Sequence, residues 1–343
     1  MRTFIVGDFR TGTGPANVTK EYIRCFPNGT LYQKMTGKLQ RVPELFIKVM
    51  LSDVVLFSGY SAQNVFGMKF AKFFNKPTAY LVHGAIDYEN KINDNENAHM
   101  SEIEAETFKR ADLLLGVSEK FSNWLKLQYP QYVNKIDYVT NGVDFDYLES
   151  LSENNKNSVI NGEINRSNYK ILSIGGGMPR KMILHVCAAI EKINSAKSDN
   201  KYELYVIGNE GKDTDAIKSY SFVHYLGLVD SSKKEELFRS CGLFIQNSCF
   251  ETFGLAVFEA LMSGCNILTS EVAGALDLLP NAISDDIIYK YDDIDEISSK
   301  ILKFENISNC ERLKNQINKD SASWEARTKE MEEKLKGLLN GKA

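Results

Sequence analysis

The sequence predicts an α/β protein made of two open parallel sheets, each with helices on both faces. Three observations predict it. Short apolar runs of strand length alternate with helix-length segments along the chain. A polar stretch interrupts that alternation near the middle. The 343 residues, 43% of them apolar, suffice to bury two full cores. In the first half the expected strands are 3–7, 53–57, 78–82, 112–116 and 136–139. In the second half they are 169–174, 202–207, 222–225, 242–246 and 265–269. Ligands of such sheets collect beyond the carboxyl ends of the strands, and two sheets set face to face make a cleft. The run Ser152-Glu153-Asn154-Asn155-Lys156-Asn157-Ser158 through Gly162 has little reason to pack. It sets the expected domains at 1–150 and 168–320, with a linker over 151–167. Residues 321–343 read as a terminal helix opening near Trp324.

Composition narrows the setting. The longest apolar runs, such as Val54-Val55-Leu56-Phe57, are far too short to span a membrane. Met1-Arg2-Thr3-Phe4-Ile5-Val6 enters a strand at once, so no secretory signal is expected. Six scattered cysteines form no C-x-x-C pair and no disulfide framework, which favours a reducing, cytoplasmic compartment. The net charge of −4 hides an asymmetry: residues 1–80 carry eleven basic and four acidic side chains, or +7, leaving −11 for the rest. Two readings stay open for that excess, ordinary solvated charge or a basic face resting on anionic lipid. No basic stripe with interleaved aromatics appears, so no nucleic-acid partner is expected.

The densest chemistry lies in Asn247–Gly264, NSCFETFGLAVFEALMSG. Glu251 falls in the loop leaving a strand; Phe253, Gly254 and Leu255 open a helix, and Glu259 lies more than one turn inside it. At about 1.5 Å rise per residue the carboxylates stand roughly 10 Å apart, too far to share a proton. With helix-opening amides between them, they are spaced for opposite ends of an extended anionic ligand. An amphipathic helix with a solvated Glu gives the same pattern. Arg180-Lys181, after the turn Gly175-Gly176-Gly177, offers cations for a phosphate group or is a pair of surface bases. His83 ends a strand and precedes Gly84, as a ligand-facing or a structural histidine would. His99, His185 and His224 have no motif around them and read as structural. Gly12-x-Gly14 approximates half a dinucleotide fingerprint, but Asn17 replaces the third glycine and no acidic ribose partner follows, which argues against a nicotinamide oxidoreductase. Three D-x-D triplets, at Asp144, Asp213 and Asp293, occur without any His/Cys cluster, and no metal is expected.

In their order along the chain these motifs resemble those of the retaining glycosyltransferases of two-Rossmann-domain (GT-B) architecture, in particular family 4. The glutamate pair resembles that family's E-x7-E signature. Phe4–Val18, Tyr80–Gly84, Ala111–Glu119, Asn141-Gly142-Val143-Asp144, Ile174–Lys181 and Leu204–Gly208 resemble its other landmarks. The resemblance implies a nucleotide-diphosphate sugar as donor, UDP favoured, with no cofactor and no metal. It implies a saccharide or lipid-linked acceptor on the N-terminal domain, and a terminal helix crossing back to that domain. By resemblance, Glu251 approaches the transferred sugar, Glu259 holds the ribose hydroxyls, Lys181 and Arg180 meet the diphosphate, and His83 lies near sugar and acceptor. Gly12, Gly14, Gly175, Phe253, Gly254 and Leu255 complete the expected site. One departure stands out: where the family commonly has Gly-Arg after the strand, this chain has Gly176, so Arg180 is the expected replacement. A nucleotide-sugar epimerase or a non-catalytic partner of a transferase are the alternatives.

Overall fold

The computed structural model describes residues 1–95, 97–160 and 166–341. The chain divides into two compact units: Met1–Lys91, Glu96–Gly142 and Asp320–Ala343 in the first, Ile92–Asn95 and Val143–Lys319 in the second.

The first unit holds strands β1 (Thr3–Val6), β2 (Leu31–Tyr32), β3 (Val54–Ser58), β4 (Thr78–Val82), β5 (Leu113–Gly116) and β6 (Ile136–Tyr138). They form one parallel sheet in the order β2-β1-β3-β4-β5-β6. Between them run helices α1 (Gly14–Cys25), α2 (Lys38–Leu51), α3 (Ala62–Phe73), α4 (Ile86–Ile92), α5 (Ala98–Arg110) and α6 (Glu119–Gln128). β3 and β4, VVLFS and TAYLV, are buried at every position. Their unbroken apolar runs are what a parallel strand covered on both faces requires. Thr13, Ser61 and Ser118 begin α1, α3 and α6 by accepting backbone N–H groups on their hydroxyls.

The second unit holds α7 (Phe145–Ile160), β7 (Ser167–Ile174), α8 (Ile183–Ala196), β8 (Glu203–Ile207), α9 (Thr214–Lys218), β9 (Val223–Gly227), α10 (Ser231–Ser240) and β10 (Cys241–Gln246). It continues through α11 (Ala256–Met262), β11 (Asn266–Ser270), β12 (Ile287–Ile288), α12 (Ile294–Lys303) and α13 (Cys310–Lys314), and ends at the first residue of α14 (Lys319–Ala322), which otherwise lies in the first unit. Its parallel sheet runs β12-β11-β10-β7-β8-β9. The core includes Ile190, Leu204, Leu243 and Leu268, each fully buried. The edge strand β9 instead alternates half-buried and exposed residues.

The last helix, α15 (Trp324–Leu339), belongs to the first unit. Trp324 packs edge-on against Tyr22 of α1, ring centroids 5.4 Å apart.

Two sequence expectations need correction. Residues 151–160 of the proposed linker are the last ten of the 16 residues of α7, and 161–165 lie outside the described residues. Leu148 and Leu151 are 2% exposed and anchor α7, so polarity there marks a helix face rather than a connector. The break between units accordingly falls at Gly142/Val143 and not near 150. β2 and β12, two residues each at sheet edges, were not expected at all.

Candidate functional site

In the second unit β7 and β10 are neighbours, with Leu243 paired to Ile171 and Phe244 to Leu172. The chain leaves them toward opposite flanks of the sheet, since β8 and β9 lie on one side and β11 and β12 on the other. This is the topological switch point of a doubly wound sheet, where diverging loops open a crevice beyond the strand ends. The Gly175–Lys181 turn follows β7, and the segment carrying Glu251 follows β10. The fold therefore brings the two sequence motifs together.

Gly175 and Gly176 have φ of 149° and 59°, and their N–H groups both donate to the Ile207 carbonyl at 2.9 and 3.0 Å. A Cβ on Gly175 would stand 2.4 Å from Lys181 Cγ, so only glycine lets the lysine stem fold back across the turn. The Lys181 Nζ then lies 2.5 Å from Glu251 Oε2, with the two side chains 13% and 12% exposed. Arg180 donates from Nη1 to the Phe250 carbonyl at 3.3 Å, and its own carbonyl accepts the Cys249 N–H at 3.0 Å. Burial pushes the Glu251 carboxyl up, but the charges of Lys181 and Arg180 outweigh it, helped by the Phe253 N–H. The carboxyl is held below its ordinary range and stays ionised.

Glu259, in α11, accepts from Lys234 Nζ of α10 at 2.7 Å. Tyr147 of α7 lies close by, its phenol pushed up to about 12 by burial and by the Glu259 charge. Each glutamate therefore has its own lysine. Lys234 was invisible to sequence reasoning because Lys233-Lys234-Glu235-Glu236 reads as a solvated charge run. The helix begins at Ala256, one residue beyond Leu255, so Glu259 stands in its first turn and not more than one turn inside as expected. Phe253 is 3% exposed and stacks on Phe258 at 5.8 Å, so its side chain is core. Gly254, with φ of 96°, turns the chain into α11 beside Gln246. At the carboxyl ends of β10 and β11, Gln246 Nε2, Asn247 Oδ1, Ser248 Oγ and Ser270 Oγ are buried without a protein hydrogen-bond partner. Such groups call for a polar ligand or water. Neither their number nor their clustering was read from the sequence.

In the first unit, His83 follows β4, and its Nε2 lies 2.8 Å from Ser58 Oγ. Ser58 Oγ lies 2.6 Å from Thr19 Oγ1, which donates to the Pro15 carbonyl at 2.9 Å. A carbonyl only accepts, so the order of donors is fixed. Ser58 donates to Thr19, His83 Nε2–H donates to Ser58, and Nδ1 keeps the lone pair. Burial pushes the imidazole down to about 4, so the ring is neutral at physiological pH although part of the residue remains open. Gly12 (φ 72°) and Gly14 flank the Thr13 cap of α1, and nothing lies within 4 Å of where a side chain would begin on either.

The D-x-D triplets prove to be helix starts. Asp144 accepts the Tyr147 N–H at 3.1 Å, and Asp293 accepts those of Asp295 and Glu296 at 3.0 Å each. Asp213 immediately precedes α9. Among the described residues no group of three or more His, Cys, Asp or Glu is placed to hold a metal ion.

The fold is shared with known GT-B glycosyltransferase structures. A sucrose-phosphate synthase from Thermosynechococcus elongatus superposes with TM-score 0.72 at 14% identity, over 99% of this chain and 100% of that one. Anabaena HepE, solved in complex with UDP and glucose, superposes with TM-score 0.70 at 13% identity, over 98% and 99%. Residues 155–322 match the family model of the glycosyl transferases group 1. In sequence, 140 residues are 27% identical to the O-antigen chain mannosyltransferase B of Escherichia coli, covering 38% of this chain and 35% of that protein. A further 28% identity over 153 residues links it to an uncharacterized 41.2 kDa protein in the cps region of Klebsiella pneumoniae, covering 44% and 40%. The matches thus span less than half the length of these relatives.

Proposed function

We propose that the chain is a retaining, metal-independent glycosyltransferase that moves a sugar from a UDP-sugar to a saccharide acceptor, itself lipid-linked. The setting is the cytoplasmic assembly of a bacterial capsule, exopolysaccharide or lipopolysaccharide. The observation that carries this reading is the Lys181–Glu251 pair, held over a glycine turn at the switch point of the family-matched unit. HepE was solved with UDP, which supports the nucleotide, and the O-antigen relative supports a polysaccharide product.

The chemistry follows from the pair. Lys181 and Glu251 satisfy one another, and an entering donor exchanges that contact for two better matched ones. The diphosphate takes Lys181 and Arg180; the sugar hydroxyls donate to the ionised Glu251. Fixed cations at a leaving group that gains charge supply about 3 kcal/mol per donor. Glu259, steadied by Lys234, accepts from the two ribose hydroxyls. Because Glu251 is engaged by the sugar hydroxyls once the donor is bound, it is assigned no nucleophilic role. The leaving phosphate takes the acceptor proton on the same face, which retains configuration. Metal independence rests on Arg180 and Lys181 carrying the charge, and on Asp144 and Asp293 being used as helix caps.

The test is slow donor hydrolysis in EDTA, followed by proton NMR. UDP should appear together with the sugar in the anomeric form it had in the donor. The opposite anomer appearing first would overturn retention. Turnover that returns only with magnesium or manganese would overturn metal independence.

A further inference from the structure

We infer that helices α2 and α3 of the first unit form a docking surface for an anionic lipid bilayer. This inference rests on that unit alone and is independent of the donor site. α2 reads KLQRVPELFIKVML, and only Leu45 and Val49 of its apolar residues are buried. Leu39 is 90% exposed, and Phe46, Ile47 and Met50 are between 41% and 50% exposed. On α3, Phe66 is 49% and Phe73 76% exposed. The two helices make one continuous surface, since the Phe46 ring lies 5.4 Å from Phe70 and 5.1 Å from Phe74. Phe73 adjoins Phe74 at 5.0 Å. Scattered exposed apolar residues need no explanation, but a contiguous patch of this kind marks an interaction site.

Charge decides which partner. Residues 31–86 contain seven lysines and arginines against two acids, Glu44 and Asp53. Both acids are engaged within the protein. Glu44 accepts from Lys48 and from the Lys34 and Met35 N–H groups, and Asp53 accepts from the Arg2 N–H. α3 itself has no acid, and its Lys69 and Lys72 are exposed among the aromatics, Lys69 lying 5.1 Å over the Phe66 ring. The acid nearest Lys69, Glu106 of α5, is itself paired with Arg110 at 2.6 Å, and apolar side chains interleaved with an excess of cations fit an interface of acyl chains below anionic headgroups. A second copy of the same patch would set like charges against each other. Among the described residues no helix is long and apolar enough to cross a membrane, so the contact is one of surface docking.

The experiment is co-sedimentation of the full chain with vesicles of phosphatidylcholine, with or without about one-third phosphatidylglycerol. Variants Lys69→Gln/Lys72→Gln and Leu39→Ser/Phe73→Ser alter exposed side chains only, and thermal unfolding checks that both are folded. Wild type should bind anionic vesicles and release them in high salt. The double lysine variant should bind roughly 30-fold more weakly, since each basic side chain at such a surface is worth about fivefold. The serine variant should lose binding while keeping any UDP-induced stabilisation. Equal binding by all three proteins, or none by wild type, would overturn the inference. So would a concentration-dependent dimer, abolished by Leu39→Ser/Phe73→Ser, in wild type that ignores vesicles. Failure of UDP to bind would leave the vesicle result standing and count against the glycosyltransferase reading alone.

Discussion

Lys181 and Glu251 each depend on the other to be buried as ions, which makes their pairing measurable. Removing one partner of a buried pair leaves an uncompensated charge, at a cost of about 3 kcal/mol. Lys181→Ala should therefore destabilise the second unit by about that much in urea unfolding, and Lys181→Met/Glu251→Gln by clearly less. A double variant no more stable than the single one would mean the pair carries no coupling. The sign with pH follows from the direction of the shift. Glu251 has its folded pKa below the ordinary 4.5, so its contribution is complete above that value and is lost as pH falls through the folded pKa. The stability gap between wild type and Glu251→Gln should narrow on acidification from pH 6 toward pH 3, each pH being about one decade of proton activity. His83 also has a lowered folded value, from 6.5 to about 4. Below 6.5 the unfolded chain holds a proton the folded one refuses, so stability is lost over that window as pH falls. His83→Gln should remove this part of the slope.

α4 and α15 show how single side chains set whole elements. Glu104 of α5 is 2% exposed and accepts the Ile86 and Asp87 N–H groups at 2.7 and 3.1 Å, capping α4 just beyond His83. Burial raises its carboxyl from 4.5 to about 7, partly offset by those two bonds. A raised acid acts in the opposite sense from His83: the folded state keeps a proton the unfolded or opened state has lost. Opening of α4 should thus become easier as pH rises from 4.5 to about 7 and then level off, as read by EX2 amide exchange of residues 86–92. For α15, the anchor is Trp324, which lies so close to Gly142 that a Cβ there would stand 2.7 Å from Trp324 Cα. Trp324→Ala should cost about 4 kcal/mol and expose the segment after Asp320 to limited proteolysis. Elements of this kind were partly legible in the sequence. Ten strands were found because most are buried on both faces and read as apolar runs, and the exposed edge strand β9 still carries Val223, Tyr225 and Leu226. β2 and β12 were missed because two edge residues carry no periodicity. The first half of the supposed linker was misread because its anchors, Leu148 and Leu151, lie at the start of a helix whose later residues are polar.

Across the whole chain, two doubly wound sheets follow from the alternation of strands and helices, and the second has its candidate site where the strand order reverses. The sequence already marked Glu251, Glu259, Arg180 and Lys181, because loop glycines and charges after strands are readable locally. It gave no sign of Lys234 or of the buried polar cluster Gln246, Asn247, Ser248 and Ser270. Those depend on which strand ends become neighbours, a property of topology and not of any one segment. Nor does local sequence reveal that Ser58 and Thr19 fix the protonated nitrogen of His83, since three separate elements meet there.

The most direct test of the proposed donor site is thermal unfolding with a series of nucleoside diphosphates in EDTA, on wild type, Lys181→Ala and Glu259→Ala. A ligand at about 100 times its Kd stabilises by roughly 2.7 kcal/mol, a shift easily resolved. UDP should stabilise wild type and do so far less in either variant, both of them folded. Stabilisation of wild type by no nucleoside diphosphate, or equal stabilisation of all three proteins by UDP, would contradict the assignment of this site.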